Sequence, residues 1–158
     1  MARASTAALA LSLAAIALPA CSGDDDGGVS RQDYVKQLDK ICDDAERELR
    51  ALDLGSARTA AQVTARLDRV IAKSQAAVDR MKALEPPGGE ARKTAERFVN
   101  TLEREFEKDA LPALDDLRAA ITSGDRAAAA DAADRLGKLE NAQSDRLARQ
   151  LGADSCAT

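Results

Sequence analysis

"YVKQLDKICDDAERELRAL", residues 34–52, carries its apolar side chains at Tyr34, Leu38, Ile41, Ala45, Leu49 and Leu52. Steps of three and four put all six on one face of a helix, because an α-helix completes a turn about every 3.6 residues. The opposite face holds acid-to-base pairs four residues apart, among them Asp43/Arg47 and Glu46/Arg50. Such pairs are worth only about 0.2–0.5 kcal/mol each and mark solvated surface. Ser30 with Asp33 three residues later is a variant of the capping box, so the helix is expected to open at Ser30. Gly55 is expected to break it.

Working outward, the same periodicity recurs three times. A second helix is expected over 59–84, with Leu67, Val70, Val78 and Met81 inward. Pro86-Pro87-Gly88-Gly89 stops it, since proline disfavours helical geometry in the residue before it. A third helix begins near Glu90, carries Phe98, Leu102, Phe106, Ala113 and Leu117, and closes at Gly124. Pro112 lies deep inside it, where a proline removes a backbone hydrogen bond, so this helix is expected to kink over 108–112. A fourth is expected to run unbroken from an Asp125 N-cap to Leu151, with Gly152 in the left-handed position that ends many helices. No alternating valine-rich run suggests a strand. Short connections favour antiparallel neighbours, so the expected fold class is all-α, an up-down-up-down four-helix bundle with its third helix kinked near Pro112.

The residues ahead of this bundle read differently. Ala7 to Ala20 is an apolar run of 14 residues behind Arg3, shorter than the ~20 needed to span a bilayer. Its length and flanks fit a signal peptide. "LPAC", Leu18-Pro19-Ala20-Cys21, closes the run, and "SGDDDGGV" follows. The expected organisation is a signal peptide over 1–20, a short flexible acidic tether over 21–29 and the bundle domain over 30–158. "DDDGG" lacks the alternating ligands and distal glutamate of an EF-hand loop and reads as spacer.

"LPAC" resembles the lipobox of bacterial lipoproteins. Leu18 matches the favoured leucine, Ala20 the small residue and Cys21 the modified cysteine; Pro19 departs from the usual alanine, serine or threonine. The resemblance implies cleavage before Cys21 and diacylation of its sulfur. Two acyl chains anchor a protein stably without a transmembrane helix. The implied location is the extracytoplasmic face of the bacterial cell membrane.

Cysteine arithmetic bears on the same question. The sequence has three cysteines, Cys21, Cys42 and Cys156, and an odd count in an exported protein leaves one unpaired. With lipid on Cys21, Cys42 and Cys156 form an even pair where disulfides persist. In the expected topology the chain end returns beside the start of the first helix. Cys42 lies about 18 Å along that helix, and the residues from Gly152 to Cys156 reach about 17 Å if extended. A Cys42–Cys156 disulfide is therefore expected.

"YVKQLDKICDDAERELRAL", "MKALEPPGGEARKTAERF" and "SDRLARQLGADSC" together resemble the small helical lipoproteins of actinobacteria. These place a cysteine in the first helix, a leucine-x-proline-proline junction, and a closing cysteine after a glycine step. The resemblance implies an envelope location and a disulfide-closed bundle, and brings no activity with it.

Composition narrows the chemistry. Excluding the leader's Arg3, 22 basic side chains face 27 acidic ones, and no basic stripe or aromatic platform suggests nucleic acid. The sequence contains no histidine, which removes the commonest general base and the usual zinc and bundle di-metal ligands. No cofactor or metal is expected. Cys42 as a nucleophile would lack its customary histidine partner. Glu105/Asp109 and Glu103/Glu107 stack like charges one turn apart, with Arg97, Arg104 and Lys108 near enough to neutralise most of them. They read as a solvated face, with a basic partner or a cation as the alternatives. Carboxylate-based hydrolysis remains a remote reading, since Tyr34, Phe98 and Phe106 all fall on core faces rather than where a sugar would stack. Ser74 and Gln143 fall at or beside inward positions and Asn100 flanks the stripe, a pattern that sets helix register or lines a pocket. The expected function is a lipid-anchored, non-enzymatic interaction module with an envelope protein partner. The alternative is a bundle that binds a small apolar ligand among its alanines.

Overall fold

The structure, a computed structural model, describes residues 28–139 and 141–157. The leader and the lipobox residues Leu18, Pro19, Ala20 and Cys21 lie outside the described residues. Six α-helices make up the described chain: α1 (Arg31–Arg50), α2 (Ala60–Lys82), α3 (Glu90–Glu105), α4 (Leu111–Ser123), α5 (Arg126–Gly137) and α6 (Ala142–Leu151). They pack as a helical bundle, with α1 on α2, α2 on α4, α3 on α6 and α4 on α5.

Local chemistry explains where each helix begins and ends. The Asp33 N–H donates to Ser30 Oγ at 3.1 Å while the Ser30 hydroxyl donates to the Asp33 carboxylate at 2.8 Å. That reciprocal pair satisfies an amide left without a partner in the first turn. At α2 the Gln62 N–H donates to Thr59 Oγ1 at 3.2 Å, and the Gln62 side chain accepts from the Arg58 N–H at 2.8 Å. Gly124 closes α4 with φ +76°, and the next N–H, that of Asp125, reaches back to the Ala120 carbonyl at 2.9 Å. Asp125 also caps α5, its Oδ1 accepting from the Ala127 and Ala128 N–H groups. One residue thus ends a helix and starts the next, turning α5 back onto α4.

The core gathers Tyr34, Leu38 and Ile41 of α1, Ala77 and Met81 of α2, Phe98 and Val99 of α3, and Leu147 and Leu151 of α6. Phe98 and Leu38 are fully buried. Burial alone raises the Tyr34 phenol above its ordinary pKa, because the charged form is poorly solvated there. Ala95, Ala132 and Ala148 are among the most buried residues; small side chains let helix backbones approach closely.

Two stretches differ from simple helical expectation. The fourth helix, expected unbroken over 125–151, is two helices, α5 and α6, separated at 138–141. Gly137 lowers helix propensity by about 1 kcal/mol relative to alanine, and Asn141 restarts the chain as the N-cap residue of α6. The break lets α5 serve α4 while α6 turns its own stripe onto α3. Gln143, expected at or beside an inward position, is exposed, and Ser144 is buried with its hydroxyl donating to the Asn141 carbonyl at 3.0 Å. In the third helix, residues Phe106–Ala110 form a π-helical turn between α3 and α4. The Leu111 N–H there bonds the Phe106 carbonyl, five residues back. Pro112 follows in the first turn of α4, where its missing N–H is tolerated.

The tether meets the fold at its last two residues. The Gly88 N–H donates to the Val29 carbonyl at 3.2 Å, and Val29 bridges Pro87 in parallel. A Cβ on Gly28 would lie 2.8 Å from the Pro86 carbonyl oxygen and 2.9 Å from the Gly88 nitrogen, so only glycine fits this crossing. Among the described residues, no helix is long and apolar enough to cross a membrane.

Candidate functional site: a groove beneath the broken helix

Cys42 and Cys156 form a disulfide with their Cα atoms 5.3 Å apart. The tail reaches α1 through the Gly152 turn at φ +81° and a short 3-10 turn over Asp154–Cys156. The Ser155 N–H donates to Asp39 Oδ1 at 3.1 Å, pinning that turn to α1. The Asp39 carboxyl titrates above its ordinary value because it is partly desolvated; the Ser155 bond opposes the shift, and nearby Asp43 and Asp154 add to it. The disulfide end of the molecule is therefore an acidic corner.

That corner is one wall of a groove of about 900 Å3. Its floor is apolar: Leu49 from α1, Val78 and Met81 from α2, Phe98 and Leu102 from α3, and Phe106 from the π turn. Lys138, Leu139 and Asn141, the residues of the break between α5 and α6, also line it, as do Cys42 and Cys156. A continuous last helix would have carried its backbone straight past this position. The break and the π turn, the two irregular stretches of the last two expected helices, thus both border the same cavity. Pi turns inside helices occur frequently at functional sites.

The rim is acidic. Asp43, Glu46, Glu105, Asp109 and Asp154 line the groove, and Lys138 is the basic residue among its described lining. Lys138 Nζ is held by Asp134 at 2.5 Å. Glu46 is paired with Arg50. Glu105 differs from both: its Oε2 is sealed from solvent and has no hydrogen-bond partner among the described residues. Of the cations expected near Glu105, Arg104 is engaged elsewhere. Arg104 Nη2 donates to Gln143 Oε1 at 3.0 Å, and Glu103, one face round, is bound by Lys82. That pairing, by hydrogen bond and charge, raises the Lys82 pKa above its ordinary value.

Of the polar residues singled out in the sequence, Ser74 lines the groove while Asn100 is exposed beside a smaller cavity of about 250 Å3. Among the described residues, no three His, Cys, Asp or Glu side chains converge to hold a metal ion. Periodicity identified the apolar floor as core but gave no sign that a groove opens onto it. No family model, curated protein or solved structure matches the chain.

Proposed function

We propose that this chain is a non-enzymatic binding protein, anchored by lipid on Cys21 to the extracytoplasmic face of a bacterial membrane, whose groove holds a small ligand with an apolar body. The observation that carries the reading is the groove itself. At about 900 Å3 it lies within the range of small-molecule sites, which are mostly apolar with a few placed polar groups. Of the two functions expected from the sequence, it favours the ligand binder over the protein-partner module. The helix pairings support an up-down-up-down course, with a bend at the π turn ahead of Pro112. The "LPAC" sequence supports the anchor, and docking of Gly28 and Val29 on the Pro86–Gly88 loop supports a bundle held close to the membrane.

Titration of the oxidised protein with the uncharged fluorophore N-phenylnaphthylamine tests the groove. Saturable one-site binding is expected, and Leu49→Trp, which fills the floor, abolishes it while the circular dichroism spectrum stays helical. Ala45→Phe provides a second filling variant should the first fail to fold. Absence of binding by the unmodified protein overturns the reading. Metabolic labelling with palmitate tests the anchor: label should enter the protein and be lost in Cys21→Ala.

A further inference from the structure

We infer that the seam between α3 and α6 is a docking surface for anionic phospholipid headgroups, so that the bundle lies with these two helices against the membrane. The inference rests on the anchored reading for its choice of a lipid surface. The charge pattern that carries it lies within the described residues.

That pattern begins with a sorting of charge along α3 and the π turn. Glu96-Arg97, Glu103-Arg104 and Glu107-Lys108 are three acid–base neighbours, and consecutive residues lie about 100° apart around a helix. The glutamates turn toward α2. Glu96 lines the smaller cavity with Lys82, Glu103 is bound by Lys82, and Glu107 is close enough for its charge to add to the effect of Glu103 on Lys82. The cations turn the other way. Arg104 reaches Gln143 of α6, and Arg97 and Lys108 share its face at spacings of seven and four residues. Lys93, one turn before Arg97, continues a line that runs about 22 Å along the helix.

α6 completes the surface. Arg146 is exposed three residues beyond Gln143, so it stands beside the position that Arg104 touches. Arg97, Lys108 and Arg146 are exposed and form no ion pair with another described residue. Arg104 bonds a neutral amide. Glu90 of α3 and Asp145 of α6 are already engaged, by Lys93 at 3.2 Å and by Arg149 at 3.6 Å. Along the sequence this strip is hidden by the glutamates written between its members.

Two features select a lipid surface. The strip has no apolar centre: Leu54, the large apolar side chain exposed among the described residues, lies in the turn after α1. Specific protein interfaces bury an apolar core, whereas a headgroup layer is met by clustered basic side chains. The position of the tether agrees. Gly28 and Val29 rest on Pro86–Gly88, immediately before α3 begins at Glu90. Cys21 is seven residues upstream of Gly28, a reach of at most about 25 Å, which matches the length of the strip. An anchor at Cys21 therefore holds the strip within reach of the headgroups.

Flotation with vesicles tests the surface without an anchor, using the chain from Ser22 to Thr158, which contains every described residue. The vesicles are phosphatidylcholine alone or an equal mixture with phosphatidylglycerol. At low salt, binding to the mixed vesicles is expected to exceed binding to phosphatidylcholine at least about tenfold, since one cation near an anionic surface is worth roughly fivefold. The binding should vanish in about 0.5 M salt, where charge is screened within a few ångström. Arg97→Glu/Arg146→Glu should weaken it at least about tenfold. Arg69→Glu/Arg126→Glu makes the same change of net charge at exposed positions of α2 and α5, and should leave binding within about twofold. Circular dichroism confirms that each variant is folded, and Arg97→Gln/Lys108→Gln is the milder pair should reversal disturb the fold. Equal binding to both kinds of vesicle, or equal weakening by the two double reversals, overturns the inference. Binding to soluble polyglutamate but not to the mixed vesicles overturns the lipid surface in favour of an acidic polymer. Palmitate labelling reports separately on the anchor: label at Cys21 without vesicle binding overturns the docking surface alone, and vesicle binding without label supports the surface and overturns the anchor.

Discussion

Arg31 Nε and Nη2 lie 3.1 and 3.0 Å from the carbonyl oxygen of Leu151, so the first residue of α1 caps the last residue of α6. A second bond from Nη2 reaches the Gln150 carbonyl at 2.9 Å. The positive charge sits where the terminal carbonyls of α6 concentrate negative potential. Arg31→Ala should cost about 1–2 kcal/mol of stability in urea unfolding, and Arg31→Lys should recover only part of it, because lysine lacks the planar fork. A loss below about 0.3 kcal/mol in Arg31→Ala would show that this cap contributes nothing.

The disulfide joins residues 114 apart in sequence. On the chain-entropy account, closing so long a loop is worth roughly 4–5 kcal/mol, often less in practice. Reduction, or the Cys42→Ala/Cys156→Ala pair, should lower the urea midpoint by a corresponding amount. Because Cys42 and Cys156 line the groove, the neutral fluorophore should also bind more weakly under conditions where the reduced protein is still folded.

Phe98 is fully buried at the centre of the main cluster. Phe98→Ala removes a ring from a site walled by three other helices and should destabilise the protein by about 3–5 kcal/mol, while Phe98→Leu should cost much less. Thermal unfolding would distinguish these outcomes, and equal melting temperatures would show that the site collapses without penalty.

Glu48 and Lys73 join α1 to α2 at 2.6 Å. The hydrogen bond and charge of Lys73 hold the Glu48 carboxyl below its ordinary pKa of 4.5. A carboxylate depressed in the folded state binds protons more readily when unfolded, so its contribution is present above about pH 4.5 and is lost as pH falls through the lower folded value. Glu48→Gln should therefore narrow the stability difference between pH 6 and pH 3. Both side chains are substantially exposed, so the effect should be small and should shrink further in high salt. An unchanged pH profile in the variant would show that the pair is not coupled to folding.

Much of the fold was legible because its signals are local. Helical spacing from Tyr34 to Leu49, the caps at Ser30 and Asp125, and the glycine at residue 152 each depend on residues within one or two turns, and each is found in the structure. The cysteine pair was legible by another route, from the parity of three cysteines and the reach of a five-residue tail. What periodicity could not show was the break in the last helix. Gln143, read at or beside the inward face of one long helix, is exposed, while the shorter α6 buries Ser144, Leu147, Ala148 and Leu151 on its own face. The groove was hidden as well, because its floor has the composition of an ordinary core.

The π turn at Phe106–Ala110 also governs what happens when the length of the chain changes. Such a turn stores one residue beyond the α-helical count, so a single deletion within 106–110 has a regular helix ready to receive it. Each residue advances an α-helix by about 100°, so winding the same residues as regular α-helix would swing α4 by a comparable angle relative to α3, whereas the deletion leaves its facing nearly unchanged. The two segments serve different partners, α3 facing α6 and α4 facing α2 and α5. At the present chain length backbone regularity and correct pairing are therefore alternatives, and the π turn keeps the neighbours by absorbing a supernumerary residue.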